Sequence, residues 1–87
     1  MKPVTIYTRA FCPYCWRALD LLRHKGAEVT EIDVTGDAKG REEMIERSGG
    51  RRTYPQIFVG ETHVGGCDDL CALDARGGLE PLLRGAA

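Results

Sequence analysis

The sequence predicts an α/β domain that opens with a strand–helix–strand unit and continues into a hairpin and a further helix. Three observations carry this. Val4-Thr5-Ile6-Tyr7-Thr8 is an apolar run of strand length, rich in β-branched residues. Cys15, Ala18, Leu19 and Leu22 recur at i, i+3, i+4 and i+7, the buried stripe of an amphipathic helix. Beyond it Glu28–Val34 alternates, and Gln56–Val59 and Thr62–Gly65 flank the tight turn Gly60-Glu61.

The first helix is expected from Pro13 to Lys25. Proline suits the first turn, where a missing N–H costs nothing, and Gly26 is a left-handed stop. Val29 and Ile32 are the inward candidates of the second strand. Strand, helix and strand within about 30 residues make the two strands parallel, with a right-handed crossover. Thr35-Gly36-Asp37 turns the chain, and Asp37 caps a second helix reaching Ser48. Its Arg41, Glu42, Glu43, Glu46 and Arg47 read as a solvated face with a Glu43–Arg47 pair. Gly49-Gly50-Arg51-Arg52 breaks that helix. A third runs from Cys67 or Asp68 to Arg76 with Leu70 and Leu73 inward, and Gly77-Gly78 ends it. Leu79–Leu83 adds a last turn, and Gly85-Ala86-Ala87 is expected to fray.

With 87 residues and neither repeat nor linker, residues 1–87 are expected to form one domain with its own core. Twelve Lys and Arg against thirteen Asp and Glu leave no global field toward nucleic acid or membrane. No apolar run approaches the roughly 20 residues of a membrane span, and Met1-Lys2-Pro3-Val4 leads into a strand rather than a signal sequence. A cytoplasmic location follows as the expectation. There, four cysteines are not expected to serve as structural disulfides.

The chemistry concentrates in Arg9-Ala10-Phe11-Cys12-Pro13-Tyr14-Cys15-Trp16. A C-x-x-C pair at a strand-to-helix junction points to thiol–disulfide exchange. If the helix starts at Pro13, Cys12 sits at its cap, facing unpaired N–H groups and the positive end of the helix dipole. Both favour thiolate over thiol, and Arg9 adds a cation pushing the same way. Cys15 belongs to the buried stripe. Cys12 is therefore the expected nucleophile and Cys15 the shielded thiol that closes a disulfide.

Two further motifs each support two readings. Pro55 after Thr53-Tyr54 is either an ordinary strand-start proline or a cis bond that turns the Tyr54 backbone toward an extended peptide. Gly65-Gly66-Cys67-Asp68-Asp69 is either a capped helix start or a small anion site with a carboxylate beside it for an ammonium group.

Cys12-Pro13-Tyr14-Cys15, Thr53-Tyr54-Pro55-Gln56-Ile57-Phe58, Gly65-Gly66-Cys67-Asp68-Asp69 and Ala72-Leu73-Asp74-Ala75-Arg76-Gly77-Gly78-Leu79 occur in one order along nearly the whole chain. In these the chain resembles the dithiol glutaredoxins, and is similar to the bacterial glutaredoxin 3 group. The resemblance implies a thioredoxin fold, with a four-stranded mixed sheet of order 2-1-3-4 flanked by three or more helices, and a cis Pro55. It implies a disulfide oxidoreductase that binds no cofactor and uses glutathione as reducing co-substrate. Glutathione would lie across Cys12, with Tyr14 flanking it and Arg9 on a carboxylate. The Tyr54 backbone would pair with the cysteinyl part, and the helix start at Cys67 and Asp68 would hold the γ-glutamyl end. Thr53, Pro55 and Asp69 complete the groove. Expected partners are glutathionylated or disulfide-containing proteins, with ribonucleotide reductase a client known from the family, and the chain is expected to be a monomer.

Some positions depart from that pattern. Tyr54 stands where valine is common and makes a bulkier wall. Trp16 follows the motif where polar residues are frequent, a position that bears on protein-substrate choice. Cys71 is additional and reads as a quiet, partly buried thiol. Three other readings fit the sequence less well. Zinc on Cys12, Cys15, Cys67 and Cys71 is disfavoured because over 50 residues separate the pairs, and His24 and His63 read as a helix-end cation and a strand surface residue. A glutathione-ligated iron–sulfur carrier is disfavoured by Pro13, and a thioredoxin-type reductase substrate by Arg9 and Asp68.

Overall fold

The computed structural model describes residues 1–85. Its elements are β1 (Val4–Thr8), α1 (Pro13–His24), β2 (Val29–Asp33), α2 (Ala38–Arg47), β3 (Gln56–Val59), β4 (Thr62–Gly65), α3 (Cys67–Ala75) and α4 (Leu79–Arg84). The sheet order is β2-β1-β3-β4, with β1 parallel to β2, antiparallel to β3, and β3 antiparallel to β4. This is the expected mixed sheet of the thioredoxin fold, with four helices.

The two central strands are buried along almost their whole length because both faces of the sheet are covered. Val4 and Ile6 of β1 and Ile57 and Val59 of β3 face one layer, packing with Ala18, Leu19 and Leu22 of α1, Leu70 of α3 and Leu79 and Leu83 of α4. Tyr7 and Phe58 face the other layer, against Val34 and Met44. Val29 and Ile32, three residues apart on a strand, lie on opposite faces, and each is half-buried in a different layer. Their inward reading holds only because an edge strand here has two insides.

Helix boundaries follow local chemistry. Pro13 opens α1, and Asp37 Oδ1 accepts from Gly40 N at 3.0 Å to cap α2. The expected Glu43–Arg47 pair is not a direct one. The Tyr7 hydroxyl stands between them, donating to Glu43 Oε1 at 2.7 Å and accepting from Arg47 Nη1 at 2.9 Å. A central-strand tyrosine has its hydroxyl satisfied at the rim of the sheet, and that need recruits both charges. Gly85 is not frayed: it caps α4 in the left-handed region, its N–H donating to Leu82 O at 3.1 Å. Ala86 and Ala87 lie outside the described residues.

The topology brings three junctions to one end of the sheet. β1 runs toward it and leads into α1, β3 starts from it after residues 53–55, and β4 runs back to it and into α3. The pairing Tyr7↔Gln56 sets the loop before β3 beside the residues that precede α1.

Candidate functional site

The first junction holds the thiol pair. Cys12 is the N-cap of α1 with extended backbone (φ −115°, ψ 100°), and its Sγ accepts from Cys15 N at 3.3 Å. A sulfur therefore occupies the place where Ser or Asp ordinarily satisfies a free N–H. The preceding Phe11 has φ 55°, a left-handed conformation uncommon outside glycine, and its side chain stands 89% exposed. Tyr14 and Trp16 are also exposed, so three exposed aromatic side chains fall within residues 11–16.

Exposure does not set the expected shielded residue, Cys15, apart from Cys12. Cys12 is 4% and Cys15 1% exposed. Environment separates them instead. Burial pushes the Cys15 thiol up to about 12, and its hydrogen bond to Cys12 acts in the same direction, while Arg9 opposes it. Cys15 is thus a protonated donor facing Cys12.

Two grooves meet at Tyr54. The first, of about 450 Å³, is lined by Tyr14, Thr53, Tyr54, Cys67, Asp68 and Asp69 together with Arg51 and Gly66. Six of the residues expected at a glutathione site thus share one cavity. Arg9 is not among them. It lines a second groove of about 690 Å³ on the other side of the shared wall Thr53-Tyr54, its guanidinium 5.3 Å from the centre of the Tyr54 ring. Pro55 is buried behind that wall, and the Tyr54–Pro55 bond is cis. Neither the N–H nor the C=O of Tyr54 has a hydrogen-bond partner among the described residues.

At the third junction the two aspartates divide the work. Asp69 Oδ2 accepts from Gly66 N at 2.8 Å and lies 3.4 Å from Arg51 Nη2. That backbone N–H, with Arg51 beside it, lowers the Asp69 carboxyl. Gly65 makes this possible. It has φ +116°, and a Cβ there would run into the Asp69 carboxylate. Asp68 is exposed and has no ion-pair partner among the described residues. Cys67 is 4% exposed, and burial together with neighbouring Cys71 pushes its thiol up to about 11. It offers the groove its backbone and little sulfur, the plain helix-start reading. Cys71 is half-buried, as the stripe around Leu70 and Leu73 implied.

Sequence reasoning missed the support behind Thr53. His63 is no simple surface residue: it is half-buried, stacked on Phe58 at 4.9 Å, with Nε2 donating to Gln56 Oε1 at 2.7 Å. Gln56 Nε2 in turn donates to Thr53 O at 3.0 Å and Thr53 Oγ1 at 3.1 Å. The hairpin thereby holds the loop that carries Tyr54. Arg51 and Arg52 do more than end α2: two cations directly before a candidate binding loop are a usable sequence signal, and each lines one of the two grooves. Among the described residues, no group of three or more His, Cys, Asp or Glu side chains is placed to hold a metal ion.

The family profile described as "Glutaredoxin" matches residues 4–64. Glutaredoxin 3 of Escherichia coli (strain K12) is 60% identical over 84 residues, covering 97% of this chain and all of the relative. Among solved structures, the glutaredoxin from Brucella melitensis is 59% identical with a TM-score of 0.82, covering 95% of this chain and 89% of the other. A buckwheat glutaredoxin–glutathione complex is 29% identical with a TM-score of 0.84, covering 95% of this chain and 77% of the other. The chain belongs to the glutaredoxin family and is a glutathione-dependent thiol–disulfide oxidoreductase.

Proposed function

We propose that this chain reduces glutathione mixed disulfides and protein disulfides through the dithiol Cys12-Pro13-Tyr14-Cys15. The observation that supports this most is the Cys15 N–H donating to Cys12 Sγ at 3.3 Å, with a protonated Cys15 thiol behind it. In the monothiol route, Cys12 thiolate attacks the glutathione sulfur of a mixed disulfide. The S–S bond breaks, and the substrate thiolate leaves and takes a proton from solvent. A second glutathione, as thiolate, attacks the Cys12–glutathione bond, giving glutathione disulfide and restoring Cys12.

In the dithiol route Cys12 attacks a protein disulfide and one substrate sulfur leaves. Cys15 then gives up its proton and attacks Cys12, releasing the second substrate thiol and forming Cys12–Cys15. Two glutathiones reduce that disulfide and leave as glutathione disulfide. Cys15 needs to be deprotonated only at this step, so its raised proton affinity keeps it from competing earlier.

Glutathione would lie over Tyr54, pairing its cysteinyl backbone with the free Tyr54 N–H and C=O. Its γ-glutamyl end would face Asp68 and the Gly66–Cys67 backbone, and its other carboxylate Arg9. Tyr14 and Thr53 would border it, with cis Pro55 shaping the wall and Asp69 holding the helix start. The buckwheat complex supports glutathione as the small partner. A reducing compartment such as the cytoplasm suits the cycle, with the chain acting as a single-domain monomer. A glutathione-coupled assay on a small mixed disulfide tests the reading. Wild type and Cys15→Ser should turn over, and Cys12→Ser should not; activity in Cys12→Ser would overturn it.

A further inference from the structure

Gln56 is a wholly buried amide on a central strand, 0% exposed, and the thiol chemistry makes no use of it. Its Nε2 turns back to Thr53, donating to the backbone oxygen at 3.0 Å and to Oγ1 at 3.1 Å. The amide fits only this way round. Reversed, its oxygen would face the Thr53 carbonyl, an acceptor against an acceptor. Gln56 Oε1 is thereby left to accept, and in a dry interior its donor has to come from the protein. His63 Nε2 supplies it at 2.7 Å. The ladder between β3 and β4 shifts by one residue between Ile57↔Gly65 and Phe58↔His63, and this bulge sets His63 opposite Phe58. There the ring stacks on Phe58 at 4.9 Å, diagonal to Gln56.

The other end of this chain of hydrogen bonds meets the groove that Thr53 and Tyr54 line. Thr53 C=O and Tyr54 N–H belong to one planar trans peptide and point in opposite directions. A donor that holds the carbonyl from the interior therefore aims the N–H outward, where it has no partner among the described residues. We propose that His63 is a positioning residue for glutathione: by orienting Gln56 it fixes the Thr53–Tyr54 peptide plane and presents the Tyr54 N–H to the cysteinyl backbone. The inference rests on the reading of Tyr54 as the backbone partner of glutathione. Its signature is selectivity. None of these hydrogen bonds reaches Cys12, whose sulfur accepts from Cys15 N. Loss of His63 should slow the attack on a disulfide that carries glutathione and spare the attack on one that does not.

The test uses single turnovers of the reduced Cys15→Ser protein, in which the product stays on Cys12 and is read by mass. One substrate is hydroxyethyl–glutathione mixed disulfide; the other is dipyridyl disulfide, which has no peptide backbone. His63→Phe keeps a ring to stack on Phe58 and deletes the donor. Its rate constant for the mixed disulfide should fall by about three- to tenfold, the size of one hydrogen bond, and for dipyridyl disulfide stay within about twofold of the parent. His63→Gln carries an amide N–H at the same reach as Nε2 and should restore the mixed-disulfide rate. Gln56→Leu should match His63→Phe, and adding His63→Phe to it should change nothing further, because one residue acts through the other. Val64→Ala, on the same strand but packed in the other layer, should leave both rates alone. Equal slowing toward both disulfides would make His63 a residue of the fold only and overturn the proposal. An unslowed His63→Phe, or additive losses in the double variant, would overturn it too. Amide exchange at Tyr54 separates this inference from the reading beneath it. The N–H should be more protected in the parent's Cys12–glutathione adduct than in the reduced protein. Without that protection the Tyr54 pairing itself fails, and this inference with it; protection beside an unslowed His63→Phe removes His63 alone.

Discussion

Helices α1 and α3 both begin with a cysteine that is 4% exposed, and one residue of register separates their chemistry. In α1 the cysteine is the N-cap, so its sulfur receives a backbone N–H, and the first turn carries no acidic residue. In α3 the N-cap is Gly66, and Cys67 stands one place further on, its side chain in the core beside Leu70. There the carboxylate of Asp69 turns back to the Gly66 N–H. One helix start is thus closed by a sulfur and the other by a carboxylate. Position in the cap, and not solvent access, separates the proposed nucleophile from the cysteine that packs in the core.

The largest test of that contrast is chemical. Cys12→Ser should lower reduction of both substrate types by more than about a thousandfold, as loss of a covalent nucleophile does. Iodoacetamide on the folded wild type at neutral pH should label Cys12 and spare Cys67. Comparable labelling of both would erase the distinction. Cys15→Ser should keep mixed-disulfide turnover within severalfold while losing most protein-disulfide reduction, read in parallel assays.

The α3 start is tested through stability. Gly65→Ala forces a side chain into a positive-φ position and against the Asp69 carboxylate, and should cost about 1–3 kcal/mol. Thermal unfolding would show this as a fall of roughly 4–8 °C per kcal/mol. Asp69→Ala removes the closing hydrogen bond and should cost about 1 kcal/mol. Its neighbour separates binding from folding: Asp68→Ala should leave Tm unchanged and raise the apparent KM for glutathione by about two- to fivefold. An unchanged KM would remove Asp68 from the site.

The smallest effect is on pH. Burial, with Arg51 nearby, lowers the proton affinity of His63 in the fold. The unfolded chain therefore binds a proton there more readily. Stability should be full above the unfolded value of about 6.5 and decline as pH falls through the lower folded value. His63→Phe should flatten that part of a Tm–pH profile. The lowered Asp69 carboxyl acts in the same direction further into acid, its contribution lost only below the usual carboxylate range.

Local patterns made much of the molecule legible. The i, i+3, i+4, i+7 stripe placed α1 and put Cys15 inside it, proline and glycine marked the helix ends, and Gly60-Glu61 marked the hairpin. These are contacts between residues close in the chain, and their periodicity is written in it. Resemblance, rather than periodicity, supplied the strand order and the cis Pro55.

What escaped involved side-chain partners that no helix or strand periodicity joins. Tyr7 draws Glu43 and Arg47 to its hydroxyl across 36 and 40 positions, and His63 reaches Thr53 only through Gln56. The amino-acid order by itself determined which residues could carry thiol chemistry and that Cys12 would cap a helix, because capping depends on a few adjacent residues. Tertiary structure alone decided that Arg9, Arg41 and Arg52 share a wall while Asp68 and Asp69 face another. Side chains from β1, α2 and the loop before β3 meet only after the sheet has paired, and no local pattern encodes where their charges converge.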